Sequence, residues 1–245
     1  MNGTAPRGAR WGLLAVAALL SLSACGKSAK DEIAATTPAV QALRAKLNTI
    51  VGGLPSFGSG VSMSMAQVDP KPVYDRKAGS FNTAFASVEQ LKDDSRPAFD
   101  LGLDSDLAQA LAWTGGKNPM DAAALDAPAG AMSDTIANGL ATPYVVITRT
   151  VSYEAPVATA DGTSFEGGNA DIEAFFVPVD RNTWTASCRI AATSDDKVQI
   201  SIKKGEDPKA PIEAFALSTL LRDARAKLAA CLTEQTGGTF QFEAQ

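Results

Sequence analysis

The 245-residue chain carries 22 basic and 27 acidic side chains, a net charge of −5, and no histidine. Acidity without a basic cluster argues against a nucleic-acid partner, because lysine and arginine on phosphate supply most of that affinity. The missing imidazole removes Ser-His-Asp and Cys-His nucleophile systems and the helical zinc-protease motif, and leaves paired carboxylates, Ser-Lys dyads and oxygen-ligand calcium sites.

Arg7 and Arg10 precede an uncharged, largely apolar run from Trp11 to Leu22, and Ser21, Ser23 and Ala24 supply the small residues that a signal peptidase needs. That order of regions predicts a signal peptide over residues 1–24. The run falls short of the about 20 residues that cross a bilayer. Leu22, Ser23, Ala24 and Cys25 resemble the lipobox of bacterial lipoprotein precursors. The resemblance implies cleavage between Ala24 and Cys25, a diacylglycerol on the Cys25 thiol, and a further acyl chain such as palmitate on the new amino group. Buried methylenes contribute about 0.8 kcal/mol each, so two or three chains anchor firmly. Gly26, where an aspartate would favour inner-membrane retention, implies the outer membrane with the body of the protein in the periplasm.

Residues 25–37 read as the lipidated cysteine and a polar tether. Thr37 as N-cap and Pro38 as first helical residue predict an amphipathic helix whose stripe is Val40, Leu43, Leu47, Ile50 and Val51, stopped by Gly52 and Gly53. "VSMSMAQV" from Val61 alternates like a short strand. The remainder of residues 38–142 reads as helical and irregular. Asn82 to Lys92 is expected to be helical, Leu103 to Trp113 is a helix capped by Asp104 or Ser105, and the Ala/Gly/Pro-rich run to Pro143 holds short helices.

Residues 143–245 are expected to form an antiparallel sheet and a helix. Tyr144–Tyr153, the run from Asn169, Thr183–Thr193 and Lys197–Lys203 read as four strands of an antiparallel meander, with one apolar and one wet face. After Pro211, Leu217, Leu220, Leu221, Ala224 and Leu228 make a helical stripe ended by Gly237 and Gly238, expected to cover the apolar face. The fold class is α+β, with residues 38–142 joining the same domain. "TFQFE" near the C-terminus leaves open whether it adds a strand.

Three cysteines are present. With Cys25 committed to lipid, Cys188 and Cys231 remain. Cys188 shares its strand parity with Trp184, Ala186 and Ile190, and Cys231 continues the helical stripe. Two inward cysteines on elements expected to pack together predict a disulfide in an oxidising compartment.

Candidate chemistry is sparse. Ser194–Lys197 and Ser201–Lys204 fit Ser-x-x-Lys, but a turn and a strand do not place serine and lysine one helical turn apart. The acids Asp93, Asp94, Asp100, Asp104, Asp106, Asp195 and Asp196 lack the calcium-loop pattern. Gly52–Gly53 and Gly115–Gly116 lack the phosphate-loop context. The loop from Glu154 to Gly168 offers a recognition position at the sheet edge. The expectation is a lipid-anchored envelope protein with no catalytic residues, metal or cofactor, acting on a protein partner by binding or assembly. A small-ligand carrier and a carboxylate-based cell-wall hydrolase are the alternatives.

Overall fold

The computed structural model describes residues 27–57, 68–93, 95–103, 105–115, 118–195 and 207–242. The expected signal peptide, Cys25 and nearly all of the expected strands at Val61 and Lys197 lie outside them.

The expected tether is helical. Helix α1 runs from Ala29 to Gly52, not from Thr37 or Pro38. Ser28 is its N-cap, with the Asp31 N–H donating to Ser28 Oγ at 3.2 Å. Asp31 and Glu32 sit where the helix dipole favours negative charge. The first turn is also pinned from outside: the Ala29 N–H donates to Ala127 O at 2.8 Å, and the Ala129 N–H to Lys27 O at 3.0 Å. Those tertiary bonds, with Ala29 buried, extend the helix through Pro38.

Strands β1 (Val73–Asp75), β2 (Ser80–Phe81) and β3 (Thr83–Ser87) follow, then helix α2 (Val88–Asp93). The helix expected over Asn82–Lys92 is therefore half strand. All five residues of β3 are buried, and Phe85 packs on one side of the sheet while Ala84 and Ala86 pack on the other. Helix α3 (Asp106–Thr114) is capped by Ser105, and α4 (Ala122–Asp126) and α5 (Gly130–Ala141) complete this half.

The long strands β4 (Tyr144–Glu154), β7 (Asn169–Pro178) and β8 (Ala186–Thr193) pair antiparallel, with the short hairpin β5 (Val157–Ala158) and β6 (Phe165–Glu166) between β4 and β7. The sheet order is β3-β4-β7-β8, and β3 runs parallel to β4. The sheet is thus mixed, not an antiparallel meander, and its fourth strand comes from the N-terminal half.

Helix α6 (Lys209–Thr236) lays Leu220, Ala224, Leu228 and Leu232 on the face carrying Ile172, Phe176, Cys188 and Ile190. The expected stripe is correct except at its first member, since Leu217 is exposed. Gly237, at φ 66°, caps α6 in the left-handed region open to glycine. The opposite face is not wet at the β3 end. Val145, Ile147 and Val177 pack there against Val40 and Leu47 of α1, Leu107 and Leu111 of α3, and Ile136 of α5. Each fully buried leucine or isoleucine contributes about 1.5–3 kcal/mol relative to exposure, so two cores hold one sheet. Strand β9 (Thr239–Gln241) joins β1 in parallel, giving a small second sheet β2-β1-β9.

Candidate functional site

A cleft of about 390 Å³ opens at the outer edge of β3. Its walls come from β2 and β3 (Phe81 to Ala84), the start of α3 (Ser105, Asp106), and the end of α5 with the turn into β4 (Asn138 to Pro143). Gly139 sets the α3–α5 approach: a Cβ there would lie 2.9 Å from Leu107 N and 3.0 Å from the Asp106 carbonyl.

Several polar side chains in the wall are spent on the fold. Asn82 Oδ1 accepts from the Val73 N–H at 2.6 Å and from Thr83 Oγ1 at 3.1 Å, and Asn82 Nδ2 donates to Lys71 O at 2.9 Å. Thr142 Oγ1 donates to Tyr144 O at 3.1 Å. Ser105 Oγ donates to Phe85 O at 2.7 Å and accepts from the Ala108 N–H at 3.1 Å. The Phe81 ring is 55% exposed and meets Tyr74 edge-on at 5.2 Å. Asp106 is half-buried in the first turn of α3, Asn138 is exposed, and Asp106 is the one carboxylate among the described lining residues.

A second polar station lies on the sheet face that α1 packs against. Arg149 Nε donates to Glu173 Oε2 at 2.6 Å, and its Nη2 donates to Pro55 O at 2.7 Å. The guanidinium carbon stands 4.4 Å from the Phe57 ring centroid and 5.1 Å from that of Phe175. This cluster clips the chain after α1 onto the sheet.

Cys188 and Cys231 are joined, with an S–S distance of 2.11 Å and Cα atoms 6.0 Å apart. Trp184 does not share the side of Cys188: it precedes β8 and packs against Phe175 and the core under α1. Trp113 also packs against that core.

The other sequence candidates disperse. Ser194 is buried and its Oγ donates to Ala216 O at 2.9 Å, while Lys197, Ser201 and Lys204 lie outside the described residues. Asp100 Oδ1 accepts from the Gly102 N–H at 2.8 Å, and Asp195 pairs with Arg222 at 2.7 Å across solvent-exposed side chains. Asp94, Asp104, Asp196 and Gly116 lie outside the described residues, as does the Asp93 side chain. Gly52, Gly53 and Gly115 end helices. No group of three or more acidic or cysteine side chains is placed to hold a metal among the described residues, and no described helix is long and apolar enough to cross a membrane.

The loop from Glu154 to Gly168 is a small hairpin whose turn is organised by Asp161. Its carboxylate accepts from Thr159 Oγ1 at 2.6 Å and from Thr163 Oγ1 at 2.8 Å. These bonds hold it below the usual carboxylate range. The hairpin is tied to α6 through the Ala158 N–H and Glu213 Oε1 at 3.0 Å. Near the cleft, burial together with the negative charges of Asp180 and Asp69 pushes the Tyr144 hydroxyl up, and that hydroxyl donates to Pro70 O.

The cleft residues Asn82, Thr83, Asn138 and Thr142 carried no motif in the sequence. They are brought together by the parallel pairing of β3 with β4, which is invisible to local periodicity. No family model, curated protein or solved structure matches the chain.

Proposed function

We propose that the chain is a lipid-anchored cell-envelope protein, carried on the outer membrane with its domain in the periplasm, and that it works by binding or assembly without a cofactor. The observation that carries this reading is the partition of the three cysteines. Cys25 closes the Leu22–Ser23–Ala24 run, while Cys188 and Cys231 meet between β8 and α6, a pairing that suits an oxidising compartment. Binding is favoured over catalysis because Asn82, Ser105 and Thr142 in the cleft wall already serve the backbone.

The cleft itself favours a second reading, a small-ligand carrier, since about 390 Å³ falls within the usual range of ligand sites. A carrier pocket between the sheet and α6 has no room, because Leu220, Ala224, Leu228 and Leu232 fill that space. A hydrolase would need a second carboxylate facing Asp106 across the cleft, at about 5 Å or about 6.5–9.5 Å.

The anchored reading is tested by fractionating cells that express wild type or a variant whose residues 1–25 are replaced by a conventional cleavable signal peptide. Wild type is expected in the membrane fraction and the variant in the soluble periplasmic fraction. Equal membrane association of both would overturn it.

A further inference from the structure

The chain just after Cys25 is fastened to the domain at once. Lys27 O accepts from the Ala129 N–H at 3.0 Å, Ser28 bridges to Pro128, and the Ala29 N–H donates to Ala127 O at 2.8 Å. Ala29 is buried in the same core as Met132 and Ile136 of α5. Residues 27–29 therefore lie against the turn between α4 and α5, and residues 27–30 with 126–131 form one tip of the helical layer. Cys25 stands two positions before Lys27, and two residues span at most about 7 Å. The headgroup layer is itself about 5–8 Å deep on each side of the hydrocarbon core. An acylated Cys25 thus has no slack with which to hold the domain off the bilayer.

We infer that this tip is a membrane-contact face, resting on the headgroups of the bilayer that holds the Cys25 acyl chains. The occupant is a lipid surface, selected by the short reach from the anchor to Lys27. Lys27, Lys30, Ala127, Pro128, Gly130 and Ala131 are exposed there. The exposed acids Asp31 and Asp126 offset the two lysines, so the covalent anchor, and not charge attraction, sets the contact. Helix α5 leads from the tip to the cleft: Asn138 lies about 12 Å from Gly130 along the helix axis. The cleft is thereby held close to the membrane surface, while α6, on the other face of the sheet, is turned away from it. This deepens the anchored reading above and rests on it, but its test reads the orientation of the domain separately from the presence of the anchor.

The test uses the full chain purified from cells in detergent and reconstituted into vesicles of phosphatidylethanolamine and phosphatidylglycerol, with a nitroxide on a fraction of the headgroups. Ala127→Cys, Ala131→Cys and Ala226→Cys each supply one thiol for a bimane label, and Ala226 is exposed midway along α6. Intact mass reads the anchor independently, and protein without acyl mass would overturn the anchored reading and this inference together. With acyl mass present, the labels at positions 127 and 131 should lose most of their emission to the nitroxide and the label at 226 little, in low and high salt alike. Inserting about 12 Gly and Ser residues between Gly26 and Lys27, a span of about 20 Å, should remove the difference while the protein stays on the vesicles. Quenching at 127 and 131 no greater than at 226, or a difference that the insertion leaves unchanged, would refute a contact set by the reach of the anchor, with the anchor itself intact.

Discussion

Arg149 and Glu173 stand opposite each other in the register of β4 and β7, and the arginine Nε lies 2.6 Å from the carboxylate Oε2 with both side chains shielded from water. Removing one partner strands a buried charge. Arg149→Ala or Glu173→Ala is expected to lower unfolding stability by about 3–5 kcal/mol. Replacing both with apolar residues of similar volume should cost far less than the sum of the single losses. Urea unfolding of the double-mutant cycle checks this, and additive losses would contradict it.

The Cys188–Cys231 bridge ties the strand β8 to the helix that covers it, closing a separation of 43 residues. In the chain-entropy model such a loop stabilises by about 4 kcal/mol. Urea midpoints with and without reductant should differ accordingly, with Cys188→Ala/Cys231→Ala matching the reduced protein. Equal midpoints, or free-thiol labelling of both residues in the native protein, would refute the bridge.

Gly139 is a packing glycine, since an added Cβ would meet the backbone of Asp106 and Leu107 at 2.9–3.0 Å. Gly139→Ala should push α5 from α3 and cost about 1–3 kcal/mol. The shift would register in the amide signals of Asp106 and Asn138, which line the cleft. Unchanged stability and unchanged signals would contradict the close approach.

The strand β3 shows why only part of the fold was legible. "TAFAS" is buried along its whole length and lacks the run of β-branched residues that marked β4 and the stripe that marked α6. Its strand character comes from pairing with β4, a distant partner. The start of α1 was legible in principle: Ser28 and Asp31 have capping-box spacing, but the polar composition of residues 26–37 suggested a tether. Cys188 and Cys231 were readable because each sits on a periodic element. The cleft was not, because Asn82, Asp106 and Asn138 come from three separate stretches and each also has a local structural reason to exist.

The Asp161 turn gives a pH prediction. The hydrogen bonds from Thr159 and Thr163 favour the ionised form, so the folded pKa is depressed. Their contribution is fully present above the unfolded value, about 3.9, and is lost as pH falls through the lower folded value. A carboxyl-carbon NMR titration should place the Asp161 midpoint below that of the same residue in an unfolded peptide. Thr159→Ala and Thr163→Ala should each move it upward. Equal midpoints in folded and unfolded chains would contradict this assignment.

The central claim is that Cys25 anchors the domain to a membrane while Cys188 and Cys231 pair within it. Mass spectrometry of the N-terminal peptide released from purified membranes tests it most directly. The account predicts a peptide that begins at Cys25 and carries a diacylglycerol with additional acyl mass. A peptide with an unmodified Cys25, or one that begins at another residue, would contradict it.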